Sequence, residues 1–226
     1  MTINQAEAKL LYHSPIGLVA RAVRMCTDSL SSLDTSLEDE SFGPKDEKLI
    51  KRRILKVGEA YDPLNPSHES TLEHAIYTFE LNFSRSVLQE LSRHRIASPS
   101  VQSSRYALKK IIKKIDKTNL HLFLTFTGDK EIDQANIDHL NVLIGLVKSG
   151  KPNDKVKYAI VDAFRTQAIL TINARSLRNL FRLRTSSHAL WEFRQLAFAM
   201  VDAIPEGHKV LFADRIHERP TELLER

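Results

Sequence analysis

Residues 75–83 constrain the fold more than any other stretch. Tyr77, Phe79, Leu81 and Phe83 alternate with Ile76, Thr78 and Glu80, and that period of two predicts a strand with one buried face. At Ser84 the period changes. Serine is a helix N-cap residue, and Val87, Leu88 and Leu91 follow at helical spacing, so a helix is expected from Arg85 to about His94. The same change recurs downstream. The apolar, β-branched segment Arg165–Ile172 reads as a strand and runs straight into a helix whose Leu177, Leu180 and Phe181 share its core side. At 226 residues the chain is long for one domain and short for two, so a single domain over 1–226 with excursions is expected.

The remaining elements follow from the same periodicities. Residues 8–13 suit a short opening strand ended by Pro15. Ile16, Val19, Ala20, Val23 and Cys26 predict an amphipathic helix over 16–30, with Cys26 a small buried hydrophobe on its face. Ser29–Pro44 reads as a loop, Lys45–Ala60 as a helix and Asp62–Ser67 as a break. Tyr106–Ile115 fits either a strand or a basic helix. Leu120–Thr127 reads as a strand because His121–Phe126 alternates. Helices are expected at Lys130–Lys148, from an Asp154 cap through Ala163, and at His188–Ile204, where Trp191 packs.

The chemistry gathers in two acid-free basic segments. Between Arg93 and Lys114 there are seven Lys or Arg and no Asp or Glu; between Arg165 and Arg184 there are five arginines and again no acid. Arg93–Tyr106 combines three arginines, a histidine and four serines. Guanidinium forks and hydroxyls are the donors that hold phosphate oxygens. Pro99 argues for irregular backbone there. His94 and Arg95 follow Leu91 by three and four residues, so both project near the buried edge of their helix, where a cation needs a counter-charge or a ligand. Arg184 follows Leu177, Leu180 and Phe181 by seven, four and three residues, so it extends an apolar stripe. There it is either salt-bridged in the core or lining a cleft. Arg175 and Asn179, four apart, share a neighbouring face.

Several classes are disfavoured. The lone Cys26 excludes an intramolecular disulfide and a cysteine-only metal cage, which fits a reducing compartment. No basic start leads into an apolar run and no uncharged stretch approaches the ~20 residues that cross a bilayer, so a soluble, cytoplasmic protein without membrane contact is expected. His68 and His74 with Glu69 and Glu73 lack metal-ligand spacing, and no metal is expected. No P-loop, GxGxxG or GxSxG occurs. The net charge of +5 points to anionic partners, either a nucleic acid or phosphorylated small molecules.

Arg93-His94-Arg95 followed by seven residues and Ser103 resembles the R-H-R-x7-S signature of the flavin-dependent thymidylate synthases. Two further blocks stand in that family's order: His68-Glu69-Ser70 with Glu73-His74 upstream, and Asn173-Ala174-Arg175-Ser176-Leu177 with Asn179, Leu183 and Arg184 downstream. The resemblance covers about residues 65–200. It implies an α+β enzyme with a mostly antiparallel sheet flanked by helices, assembled as a homotetramer with shared active sites. Its reaction would be the reductive methylation of dUMP to dTMP. Methylene-tetrahydrofolate would be the carbon donor, and NADPH would supply reducing equivalents through FAD.

Carried over by motif, the resemblance implies that Ser70, Arg93, His94, Arg95, Asn173, Ala174, Arg175 and Asn179 contact FAD. It further implies that Glu90, Arg93, Ser103, Ser104, Arg105 and Lys157 hold dUMP, with His68 on the folate or nicotinamide side. Arg184 would stabilise charge developing on the uracil. In such enzymes no protein nucleophile need attack the ring, in keeping with a Cys26 that has no activating neighbour in sequence. Two positions depart from the family pattern. Ser100-Val101 stands where Asn-Glu is common, so no polar side-chain role is expected at Val101. Lys157 replaces an arginine and keeps the charge without the fork. Two alternatives stand beside this reading. One is a nucleic-acid-binding module without enzymatic activity, although the aromatics are not interleaved with the arginines as stacking platforms. The other is a family member that has lost activity.

Overall fold

The computed structural model describes residues 6–55 and 68–221. Its strands are β1 (Glu7–His13), β2 (Ile76–Ser84), β3 (Ala97–Val101) and β4 (Arg165–Asn173). Its helices are α1 (Gly17–Cys26), α2 (Pro44–Ile50), α3 (Arg85–Leu91), α4 (Ser104–Ile112), α5 (Lys130–Lys148), α6 (Asn153–Val156), α7 (Ala174–Arg184) and α8 (Trp191–Ala203). The strands make one antiparallel sheet in the order β1-β2-β4-β3. This is an α+β arrangement.

The central pair decides where the site lies. β2 and β4 pair along their full length, from Ile76 opposite Asn173 to Ser84 opposite Arg165. The two strand-to-helix switches therefore leave from opposite ends of that pair. Ser84 Oγ accepts from Val87 N (3.4 Å) to open α3, and Asn173 Oδ1 accepts from Ser176 N (2.9 Å) to open α7. Each cap satisfies an amide that no intrahelical carbonyl can reach. The Ser84 cap is itself held: its N–H donates to the buried Glu192 carboxylate at 2.8 Å and its hydroxyl donates to the other oxygen, while Thr125 Oγ1 donates to the same group at 3.1 Å.

Tyr77, Phe79, Leu81 and Phe83 are fully buried and pack with Leu170 and Ile172 against Leu177, Leu180 and Phe181 of α7 and Phe193 and Leu196 of α8. Burial of aliphatic and aromatic side chains on this scale drives the two layers together, at roughly 1.5–3 kcal/mol each. Thr78, Glu80, Ile169 and Thr171 lie on the other, more accessible face. A second cluster joins Leu108 and Ile112 of α4 to Leu140 and Leu143 of α5, with Leu124, Phe126, Val156 and Phe164.

Some expectations need correction. The Arg93–Tyr106 segment is not irregular throughout, because residues 97–101 form β3. Pro99 is tolerated there since β3 is an edge strand, paired only with β4, where a missing N–H costs no ladder bond on the open side. In the Tyr106–Ile115 stretch, residues 106–112 are helix, in α4, and the chain turns at 113–114. Leu120–Thr127 is not a strand. It makes a 3-10 turn at Leu120–Leu122 and one isolated bridge, Leu124 to Phe164, because β4 already has β2 and β3 on its two sides. Leu124, Thr125 and Phe126 are buried consecutively, so the alternation seen in sequence does not carry into burial.

The α2 helix passes into a π-helical turn at Lys51–Leu55, while residues 56–60 and the expected break at 62–67 lie outside the described residues. The helix expected from Asp154 through Ala163 is only α6 and a 3-10 turn at Lys157–Ala159. Pro152 occupies the N-cap position in place of Asp154. Cys26 is exposed: α1 ends on it, and the buried stripe stops at Val23 and Arg24. α3 ends at Leu91, with turn bonds from Arg93 N and His94 N carrying the chain on to His94.

Candidate active site

At the Asn173 end of the sheet three segments meet. Ala174 N donates to Ala75 O at 2.8 Å, which fixes the start of α7 beside the 3-10 segment Glu69–His74. Ala97 of β3 lies opposite Ile172, so the turn after α3 arrives at the same end. Between them lies a cavity of about 500 Å³, walled by Arg93, His94, Arg95 and Ile96 from the turn, by Arg175, Ser176 and Asn179 from α7, and by Glu73. The acid does not neutralise the site: Glu73 accepts from Arg175 at 2.7 Å. Arg93 and Arg95 are exposed and have no ion-pair partner among the described residues. A concave site with two unpaired guanidiniums and one amide suits an anionic ligand with hydrogen-bonding edges.

His94 connects the cavity to a second cluster. Arg184 Nε donates to His94 Nε2 at 3.1 Å, and Arg184 Nη1 donates to the Glu90 carboxylate. The guanidinium stacks over the Phe193 ring with its carbon 4.7 Å from the centroid, and His94 meets the same ring edge-on at 6.0 Å. Of the two alternatives for Arg184 the structure shows the salt bridge, at a partly buried position beside the cavity and not in its wall. Accepting at Nε2 means that the neutral His94 ring carries its proton on Nδ1.

Burial, with the adjacent Arg184 charge second, pushes the His94 pKa down to about 4. Burial also takes His208 down to about 4, with His13 adding to the shift. Between the ordinary value of 6.5 and about 4 these rings are neutral when folded and protonated when unfolded. The unfolded state then binds more protons, so stability falls as pH drops through that window. Thermal unfolding at stepped pH is expected to show Tm declining from pH 6.5 to 4, with a shallower decline in His94→Asn. An identical slope in the variant would refute the burial account of His94.

The other carried-over residues lie elsewhere. Ser103 occupies the N-cap position of α4, and Ser104 and Arg105 open its first turn, whose amides have no intrahelical acceptor. Asn153 Nδ2 donates to Arg105 O at 2.8 Å, tying this turn to the start of α6. Lys157 is exposed on the 3-10 turn that packs against α4. These residues follow the Val101 end of β3, whereas the cavity adjoins its Ala97 end. Four strand steps separate the two ends, about 13 Å. His68 and Ser70 are exposed on or beside the Glu69–His74 segment. Ala174 is buried and does not line the cavity. Val101 is half-buried against the main core. Ser176, Ile96, Glu73 and Phe193 were not among the expected site residues. Glu73 and Ser176 sit inside the quoted motifs, but Phe193 reads in sequence as one more apolar position of α8.

An open antiparallel sheet with an arginine-lined cavity where two strand-to-helix junctions converge defines the class: an α+β protein built to take anionic ligands. The family model described as thymidylate synthase complementing protein matches residues 9–207. The flavin-dependent thymidylate synthase of Campylobacter jejuni (strain RM1221) is 39% identical over 215 residues, 92% of this chain and 97% of the relative. That of Helicobacter pylori (strain J99) is 39% identical over 213 residues, 90% and 95%. The crystal structure of the Helicobacter pylori enzyme complexed with FAD and dUMP superposes with a TM-score of 0.80 at 36% identity, covering 93% of this chain and 100% of that one. The chain belongs to the flavin-dependent thymidylate synthase family.

Proposed function

We propose that this enzyme converts dUMP to dTMP in a flavin-dependent reaction, with methylene-tetrahydrofolate as carbon donor and NADPH as reductant. The observation that carries the reading is the cavity formed by Arg93–Ile96 and the first turns of α7, coupled through His94 to Arg184. Its donors fit a flavin with a diphosphate: two unpaired guanidiniums for the phosphates, and amide and hydroxyl groups for ring edges. FAD, when bound, supplies the transfer of reducing equivalents.

The chain's own residues bind and orient. Arg93, His94 and Arg95 hold the cofactor, with Arg93 also reaching the nucleotide. Arg175, Asn179 and Ser70 complete the cofactor cradle. Asn173 spends Oδ1 on the α7 cap and keeps Nδ2 to donate, and buried Ala174 fixes where α7 begins. His68 faces the folate or nicotinamide side.

Replacing the uracil C5 hydrogen by methyl requires electron density to build up on the ring and the C5 proton to leave. Arg184 places a cation where that charge develops. Glu90 and Phe193 hold the guanidinium in position, and Nη2 has no partner among the described residues. Ser103, Ser104, the first amides of α4 and Arg105 bind the dUMP phosphate, and Lys157 adds charge without a fork.

These phosphate residues and the flavin residues of one chain sit at opposite ends of β3. A homotetramer whose sites are shared between chains accommodates that separation. No described helix is long and apolar enough to cross a membrane.

The test is direct. Purified protein is expected to be yellow, with a flavin spectrum, and to release tritium from dUMP labelled at C5 when given methylene-tetrahydrofolate and NADPH. A colourless protein that takes up no FAD and releases no tritium overturns the reading.

A further inference from the structure

Away from that cavity, on the opposite edge of the sheet, two histidines and a glutamate converge. His13 ends β1 opposite Tyr77 of β2. His208 lies in the 3-10 segment Glu206–Leu211, where its Nδ1 is 2.9 Å from the Tyr77 hydroxyl and its ring meets that of His13 edge-on at 4.8 Å. Gly207 brings in the third group. A Cβ at this position would stand 2.0 Å from Glu40 O and 2.7 Å from Ser41 Cβ, so only glycine lets the loop before α2 press this closely. Glu40 Oε2 then lies 3.8 Å from His13 Nε2 and 3.9 Å from His208 Nε2, and the three donor atoms all fall within 4.8 Å of one another.

The hydrogen-bonding pattern leaves this cluster unfinished. His208 is fully buried, and its Nε2 has no hydrogen-bond partner among the described residues. An orphaned buried polar atom is costly, so it calls for a reason. His13 Nδ1 is 3.3 Å from Ser14 O, a carbonyl that can only accept, so the ring's proton sits on Nδ1 and its lone pair on Nε2. Tyr77 can accept from His208 Nδ1 in the same way, which would leave a second lone pair facing the same carboxylate. His13 Nε2, His208 Nε2 and the Glu40 carboxylate thus face one another in the arrangement of a ligand set. Both rings are oriented through their far nitrogens, as metal-bound histidines are.

We infer that His13 Nε2, His208 Nε2 and the Glu40 carboxylate bind one divalent transition-metal ion of the zinc class. Nitrogen donors exclude magnesium and calcium as the preferred ion. Tetrahedral zinc at ~2.0–2.1 Å from its ligands holds them about 3.3 Å apart, a contraction shared between the exposed Glu40 side chain and the His13 ring, which is 25% exposed. Glu40 is 71% exposed, so the fourth position opens to water. The ion would staple β1, the loop before α2 and the Glu206–Leu211 segment together. No sequence motif marks positions 13, 40 and 208.

The test uses the full chain, dialysed against a chelator and then titrated with zinc chloride, with bound metal measured by mass spectrometry and Tm recorded in parallel. Wild type is expected to bind one zinc per chain and to gain Tm. Glu40→Gln and His13→Ala are expected to keep the metal-free Tm near wild type and to bind zinc about tenfold or more weakly. His208→Ala is a poor probe because that ring is part of the core. Absence of stoichiometric zinc in the wild type, or wild-type zinc affinity in either variant, overturns the inference.

Discussion

Arg184→Ala is expected to lower kcat by about 10²–10³-fold while the protein keeps its fold and its flavin spectrum. The magnitude is that of deleting one preorganised donor aimed at developing charge, about 2.7–4 kcal/mol. The fold should survive because Arg184 and its partner Glu90 retain side-chain exposures of 16% and 31%, so the orphaned carboxylate can hydrate. Flavin binding should survive because the cavity is walled by Arg93, His94, Arg95 and Arg175, not by Arg184. Arg184→Lys should recover only part of the loss. An ammonium restores charge, but it cannot donate to His94, Glu90 and a substrate in one plane while stacking on Phe193. Steady-state kinetics with a visible spectrum on the same samples decides the matter. A variant with unchanged kcat would remove Arg184 from the chemistry, and a variant that unfolds would show its salt bridge to be chiefly structural.

The sequence exposed those parts of the molecule in which a local signal and the final structure have the same cause. β2, β4, α5 and α7 are legible because period-two and period-3.6 patterns report burial on one face. Ser84 is legible because capping is a local hydrogen bond. Where tertiary context decides, the pattern misleads. His121–Phe126 has the alternation of a strand, but β2 and β3 already occupy both sides of β4. Pro99 reads as a breaker and is harmless, because only the edge position of β3 makes it so. The cavity was half legible. The R-H-R-x7-S block gathers its residues in sequence but conceals that β3 sends Arg93–Arg95 and Ser103–Arg105 to opposite ends of a strand. Phe193 and the His13–Glu40–His208 cluster were invisible, since nothing local distinguishes a stacking platform or a convergent ligand from a packed side chain.

Arg178 sits one residue before Asn179 in the downstream motif and turns away from the cavity. It is 2% exposed, yet both terminal nitrogens of its guanidinium are paired, and only Nε lacks a partner among the described residues. Nη1 donates to Leu211 O and to Asp214 Oδ1 at 2.6 Å, and Nη2 donates to Asp214 Oδ2 at 2.8 Å and to Glu69 Oε1 at 3.4 Å. One side chain thus binds α7 to the Glu69–His74 segment, which carries Ser70 and Glu73, and to the chain after Leu211. Arg178→Met removes every donor and leaves two carboxylates and a carbonyl facing an apolar group. Breaking a buried pair in this way costs about 3–5 kcal/mol. The lower end is expected because Glu69 and Asp214 keep 24% and 22% side-chain exposure and can draw in water. For a chain of this length that corresponds to a Tm lower by roughly 6–12 °C. Flavin affinity should fall with it, since Glu73 would no longer be held against Arg175 at the cavity wall. Arg178→Lys keeps one bond of the fork and should lie between the two. A Tm within a degree of wild type for Arg178→Met would mean that the segment is anchored by its buried residues Thr71 and Leu72, and that the buried arginine contributes nothing net.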